Sequence, residues 1–176
     1  MDKIRMKEIL QQVLENVGIP EGYYSIGSYK EGSTCMEKVG IKLILYDVKS
    51  TERYESIEYK NELEACTELI RRIVKNNKDF EILRQEFYDC RAKAVLKAVL
   101  DDKGIPRKYY SLEGYVEDAV CMEKNNKNYI VYIGKKGNKY NVSKHSNISK
   151  TLLKLISEVA QSYAQEEKIV EAFINK

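Results

Sequence analysis

Residue types that most often carry chemistry are sparse in this chain of 176 residues. There is one histidine, His145, in a polar stretch that reads as a loop. General acid–base, triad and zinc chemistry usually rest on histidine, so a solitary one reads as a surface residue. The four cysteines, Cys35, Cys66, Cys90 and Cys121, lack metal-ligand spacing. Cys35 and Cys121 sit in strand-like runs beside Met36 and Met122, a setting for buried, reduced thiols. No GxxxxGK[ST] or GxGxxG follows a strand, which argues against the common nucleotide cofactors. The charged pair Glu37-Lys38, repeated as Glu123-Lys124, fits a structural role on a strand. The expectation is a non-enzyme with no catalytic residues, no metal and no cofactor.

Those charged pairs belong to a larger pattern. Residues 5–90 and 91–176 are one sequence unit written twice, in register, at a constant offset of 86. Gly18-Ile19-Pro20 returns as Gly104-Ile105-Pro106, Tyr23-Tyr24-Ser25 as Tyr109-Tyr110-Ser111, and Cys35-Met36-Glu37-Lys38 as Cys121-Met122-Glu123-Lys124. A repeat of this kind sets the domain plan before any element is placed. It predicts units 1–90 and 91–176, either as separate lobes or as one compact two-lobed domain.

Periodicity then supplies the elements. Met6, Ile9, Leu10, Val13, Leu14 and Val17 form a helical stripe, answered by Val95, Leu96, Val99 and Leu100. Gly18 and Gly104 stand where a helix C′ residue belongs, with proline two residues on. Strand-like runs follow at 23–26, 34–39, 42–48 and, more weakly, 54–59. In the second unit they lie at 109–112, 119–124, 128–133 and 140–143, with a turn at 135–138. Helices return at 61–74 and 149–160. A last helical stretch closes each unit through Phe80, Leu83 and Phe87, or Ile169, Val170, Phe173 and Ile174. Tyr24 and Tyr110 face the core, with Tyr23 and Tyr109 opposite. The fold expected is α+β: two tandem α-β-β-β(-β)-α-α units, each a small antiparallel meander packed by helices, related by a pseudo-two-fold axis. The central strands are apolar on both faces, so the second face needs a cover: the closing helix, the sister unit or a partner.

The net charge of +3 hides an uneven distribution. From Lys38 to Ile70 there are seven acids and five bases, whereas Lys124 to Ile156 holds eight lysines and no acid. One lobe is acidic and one basic. No apolar run spans a membrane and the start of the chain has no signal-like h-region, so a reducing cytoplasm is expected.

A resemblance rests on motifs spread over most of both units. Gly104-Ile105-Pro106, Tyr109-Tyr110-Ser111-Leu112, Cys121-Met122-Glu123-Lys124, a hydrophobic strand to Tyr132, and Lys135-Lys136-Gly137-Asn138-Lys139 together resemble a family of small bacterial immunity proteins of polymorphic toxin systems. Glu64-Ala65-Cys66 matches that family's helix motif. Departures are that Lys135-Lys136 replaces the usual Glu-Arg, that Ser50-Thr51-Glu52-Arg53 lacks the turn glycine, and that Lys150-Thr151-Leu152 replaces Glu-Ala-Cys. The resemblance implies a protein, monomeric when free, that binds a cognate toxin domain and blocks its active site, and it brings no catalytic residues. The basic lobe, at Lys135, Lys136, Lys139 and Tyr140, is the candidate toxin-binding site. The alternative is a double-stranded-RNA or other nucleic-acid-binding module using the Lys124–Lys154 stretch. The acidic first lobe and the missing Gly-Pro-x-His loop disfavour it.

Overall fold

The computed structural model of the chain describes residues 5–74, 76–126 and 128–176. The chain forms two compact units, Arg5–Arg91 and Ala92–Lys176. In the first, α1 (Met6–Val17) precedes β1 (Tyr24–Ile26), β2 (Thr34–Val39), β3 (Lys42–Lys49), β4 (Glu52–Tyr59) and α2 (Glu62–Ile73). A long helix, α3 (Asn77–Asp102), contains the division between the units. The second unit continues with β5 (Tyr110–Ser111), β6 (Val120–Asn125), β7 (Asn128–Lys135), β8 (Asn138–His145), α4 (Ile148–Val159) and α5 (Tyr163–Ile174). The expected α+β class holds. Elements β2, β3, β4 and α2 begin and end 86 residues before β6, β7, β8 and α4.

Local signals explain most boundaries. Asn61 caps α2 by accepting from Leu63 N at 2.9 Å, and Asn147 caps α4 by accepting from Ser149 N at 2.8 Å. Leu10, Val13 and Leu14 bury the predicted stripe of α1, but Val17, expected on it, is 45% exposed at the final turn. The closing helix of the first repeat and the opening helix of the second are not separate. Between Phe87 and Val95 the sequence offers no proline or glycine to interrupt backbone bonding, so both merge into α3.

Each sheet is mixed rather than a pure antiparallel meander. Strand order is β1-β2-β3-β4 and β5-β6-β7-β8. β2–β3–β4 and β6–β7–β8 are antiparallel as expected, but β1 lies parallel to β2 and β5 to β6. A parallel neighbour normally needs a long crossover. Here β1 has only three residues, about 10 Å of strand, and the seven residues 27–33 are long enough to return.

That returning loop also covers the second face of the sheet. Met36, Leu43 and Leu45 face a core built with Leu10, Leu14, Leu69, Ile70 and Phe87. Met122, Tyr129 and Val131 do the same with Leu96, Leu100, Leu152, Leu155 and Ile169. The closing helical segments therefore pack in these main cores. On the opposite face Cys35, Tyr46 and Val48 form a smaller cluster, as do Ala119, Cys121 and Tyr132. Lys30 N donates to Cys35 Sγ at 3.3 Å, and Val116 N to Cys121 Sγ at 3.2 Å, so the β1–β2 and β5–β6 loops lie over the thiols. Both cysteines are fully buried, in agreement with the sequence. Tyr24 and Tyr110 are buried too, while Tyr23 and Tyr109 are exposed.

Candidate functional site

The edge strand β8 and the β7–β8 turn hold the predicted binding residues. Lys135 ends β7, Lys136 and Gly137 form the turn, and Lys139 and Tyr140 lie on β8. All four predicted residues are exposed, but they do not form one patch. Lys139 pairs with Gly134 and Tyr140 with Ile133, so successive side chains project to opposite faces of the sheet. Lys139 is already engaged. Its ammonium pairs with Glu123 and sits 4.7 Å from the ring centroid of Tyr132.

The Glu123–Lys139–Tyr132 set accounts for the glutamate of the repeated Glu-Lys motif, whose own lysine is not part of it. Tyr132 Oη donates to Glu123 Oε2 at 2.9 Å. Its counterpart has Arg53 Nη2 3.1 Å from Glu37 Oε2 and the guanidinium 4.3 Å from the Tyr46 ring centroid. In each unit a base lies over a buried central-strand tyrosine beside a glutamate. Burial and the adjacent glutamate push both tyrosine hydroxyls well above their ordinary value. The Lys139 pair, with the Tyr132 hydroxyl, holds Glu123 below the ordinary carboxylate range. The predicted structural role of the glutamates is what their geometry supports.

Lys135 and Lys136 are presented differently, and the residues that present them escaped the sequence reading. Glu117, in the β5–β6 loop, accepts from Lys136 N through Oε1 and from Gly137 N through Oε2 at 3.3 Å. Tyr115 Oη donates to Glu117 Oε2 at 2.6 Å and accepts from Gly137 N at 2.8 Å. The Tyr115 hydroxyl first, then the two backbone amides, hold Glu117 below its ordinary range. A carboxylate thus closes the turn from below while the lysine side chains remain exposed. Both turn residues have positive φ, 50° at Lys136 and 73° at Gly137, the geometry for which glycine is suited at the second position.

The first unit retains Tyr29 and Glu31 at the equivalent places. Among the described residues neither bonds to its turn, Ser50-Thr51, although that turn has the same signs of φ (46° and 71°). What distinguishes the first unit is a polar network at one end of its sheet. Thr34 Oγ1 donates to Asp47 Oδ1 at 2.6 Å, and Arg72 lies 3.7 Å from Asp47 and 3.5 Å from Glu68. Thr34, Asp47 and Arg72 line a cleft of about 440 Å³ with Tyr23 and Lys49. The second unit carries Val120, Ile133 and Glu158 at the positions of Thr34, Asp47 and Arg72.

His145 is the last residue of β8 rather than a loop residue, and its Nε2 lies 3.1 Å from Ser143 Oγ. Among the described residues no three His, Cys, Asp or Glu side chains gather as a metal site, and no helix is long and apolar enough to cross a membrane. No family model, curated protein or solved structure matches this chain.

Proposed function

We propose that the chain is an immunity protein that binds a cognate bacterial toxin domain in the cytoplasm and occludes its active site. The observation that carries this reading is the second hairpin. It offers Lys135 and Lys136 on a turn held from behind by Glu117 and Tyr115. Exposed Tyr140 and Val142 follow on the edge strand β8. A cationic tip beside exposed aromatic and aliphatic side chains suits an acidic cleft. Charge complementarity speeds capture, and tyrosine anchors add contact area at small entropic cost. A standard interface of about 1,600 Å² in total lies within reach of a chain of this size. The motif resemblance points the same way.

The test uses the toxin domain encoded beside this chain's gene, as a catalytically inactive variant for binding and an active one for growth rescue. Nanomolar or tighter binding and rescue are expected. The double reversal Lys135→Glu, Lys136→Glu should slow association about tenfold or more at low salt, while Glu62→Lys, Glu64→Lys should matter less. Lysine reversals that leave toxin binding intact but abolish binding to duplex RNA would transfer the assignment to the nucleic-acid reading.

A further inference from the structure

Gly134 stands where the first unit has Val48, and this single difference decides how close the preceding loop can come. A Cβ built on Gly134 would collide with the Val116 carbonyl oxygen and lie 3.2 Å from Tyr115 Cε2. With no side chain there, the loop settles on β7 and is bonded on both sides of the glycine. Gly134 N donates to Ala119 O at 2.9 Å, and Asp118 N donates to Gly134 O at 2.8 Å. In the first unit Val48 N makes the first bond, to Ser33 O at 3.0 Å. The second has no counterpart among the described residues. Tyr115 lies over the vacated position, stacked on Tyr132 at 6.4 Å between centroids and 22° between planes. From there its hydroxyl and Glu117 reach the turn. Val48 is itself buried, so its side chain fills the space that the loop of the second unit occupies.

We propose that Gly134 is the positioning residue that makes the second hairpin a preorganised docking element for an acidic protein surface: it admits the loop that lets Tyr115 and Glu117 fix the Lys136–Gly137 turn. Tyr29 and Glu31 are present in the first unit but held off by Val48, so that hairpin is not prepared in this way. This inference rests on the toxin-binding reading for its partner, but its structural half stands apart. Fixing a loop in its bound shape before encounter reduces the ordering entropy lost on binding, so the effect should show mainly in affinity.

The decisive variant is Gly134→Val in the full chain. The same fold already accommodates valine at this position in the first unit. Amide hydrogen exchange followed by NMR should show Lys136 and Gly137 at least tenfold more protected than Ser50 and Thr51 in the native chain. In Gly134→Val that protection should fall about tenfold while β6 and α4 keep theirs. Affinity for the inactive toxin domain encoded beside the gene should drop about tenfold. If Gly134→Val fails to fold, Tyr115→Phe with Glu117→Ala removes the side-chain bonds to the turn without adding volume and carries the same expectations. Unchanged protection in the variant that folds would overturn the inference. So would lost protection with undiminished toxin binding, while sensitivity to Lys135→Glu, Lys136→Glu would leave the toxin-binding reading intact. If the native chain does not bind the toxin domain, the parent reading and the docking half fail together, and the exchange data still decide the tether.

Discussion

Arg72 donates from Nη2 to the main-chain carbonyl of Glu55 at 3.0 Å, tying α2 to a bulge in the edge strand β4. Between the Leu45–Ile57 and Asp47–Tyr54 pairs, Tyr46 faces two residues, and one of them, Glu55, has φ of 50°. The same bulge recurs opposite Tyr132, with Asn141 at φ 52°. Asparagine tolerates the left-handed region better than glutamate. The unit with the strained residue also has the arginine that holds its carbonyl, whereas the other has Glu158, paired with Lys154.

The first prediction follows from that clamp. Glu55→Gly should stabilise the chain by roughly 0.5–1 kcal/mol, because the left-handed conformation is easier for glycine. Arg72→Ala should destabilise by roughly 1–3 kcal/mol through loss of a charged donor and its ion pairs. The Arg72→Ala penalty should shrink in the Glu55→Gly background. Urea unfolding of the four proteins measures this coupling, and equal penalties in both backgrounds would exclude the clamp.

The turn of the first hairpin places β-branched Thr51 at φ 71°. Thr51→Gly should therefore raise stability by about 1 kcal/mol. A thermal melt that does not shift upward would show that this turn relaxes without the substitution.

Acidification should weaken the Glu123–Lys139 pair. Glu123 is held below the ordinary carboxylate range in the folded chain, so its contribution is complete above that range. The contribution disappears as pH falls through the lowered value. With side chains 27% and 39% exposed, the pair is worth only about 0.5–1 kcal/mol, less at high salt. Glu123→Gln should remove this part of the acid dependence and leave neutral-pH stability lower by that amount. Urea midpoints at neutral and acidic pH that fall in parallel for both proteins would count against it.

Thiol chemistry tests the cover over both sheets. Burial pushes the Cys66 thiol up to about 12 and raises Cys35 and Cys121 as well. All three should resist a thiol reagent at pH 8 until the chain unfolds. Rapid native labelling of Cys35 or Cys121 would mean that the covering loops open far more readily than their bonds to the sulfurs imply.

The sequence by itself determined the repeat, the α+β class and the place of nearly every element. These follow from local periodicity and from signals such as Gly18, Asn61 and Gly137, which act within a few residues. It also marked Cys35, Cys121, Tyr24 and Tyr110 as core, because strand alternation assigns a face. Only the tertiary structure decided the parallel pairing of β1 and β5, since a short strand permits a return in either sense and hydrogen-bond direction is not written in side chains. The merging of two helices into α3 was hidden for the opposite reason: no residue marks the absence of a break. The binding residues were legible as a cluster of lysines, but their division was not. Strand alternation sends Lys139 and Tyr140 to opposite faces, and Glu123 takes up the Lys139 charge. Glu117 and Tyr115 were invisible from sequence because their reach to Lys136 and Gly137 depends on a loop crossing a strand at Gly134, a steric fact about atoms distant along the chain.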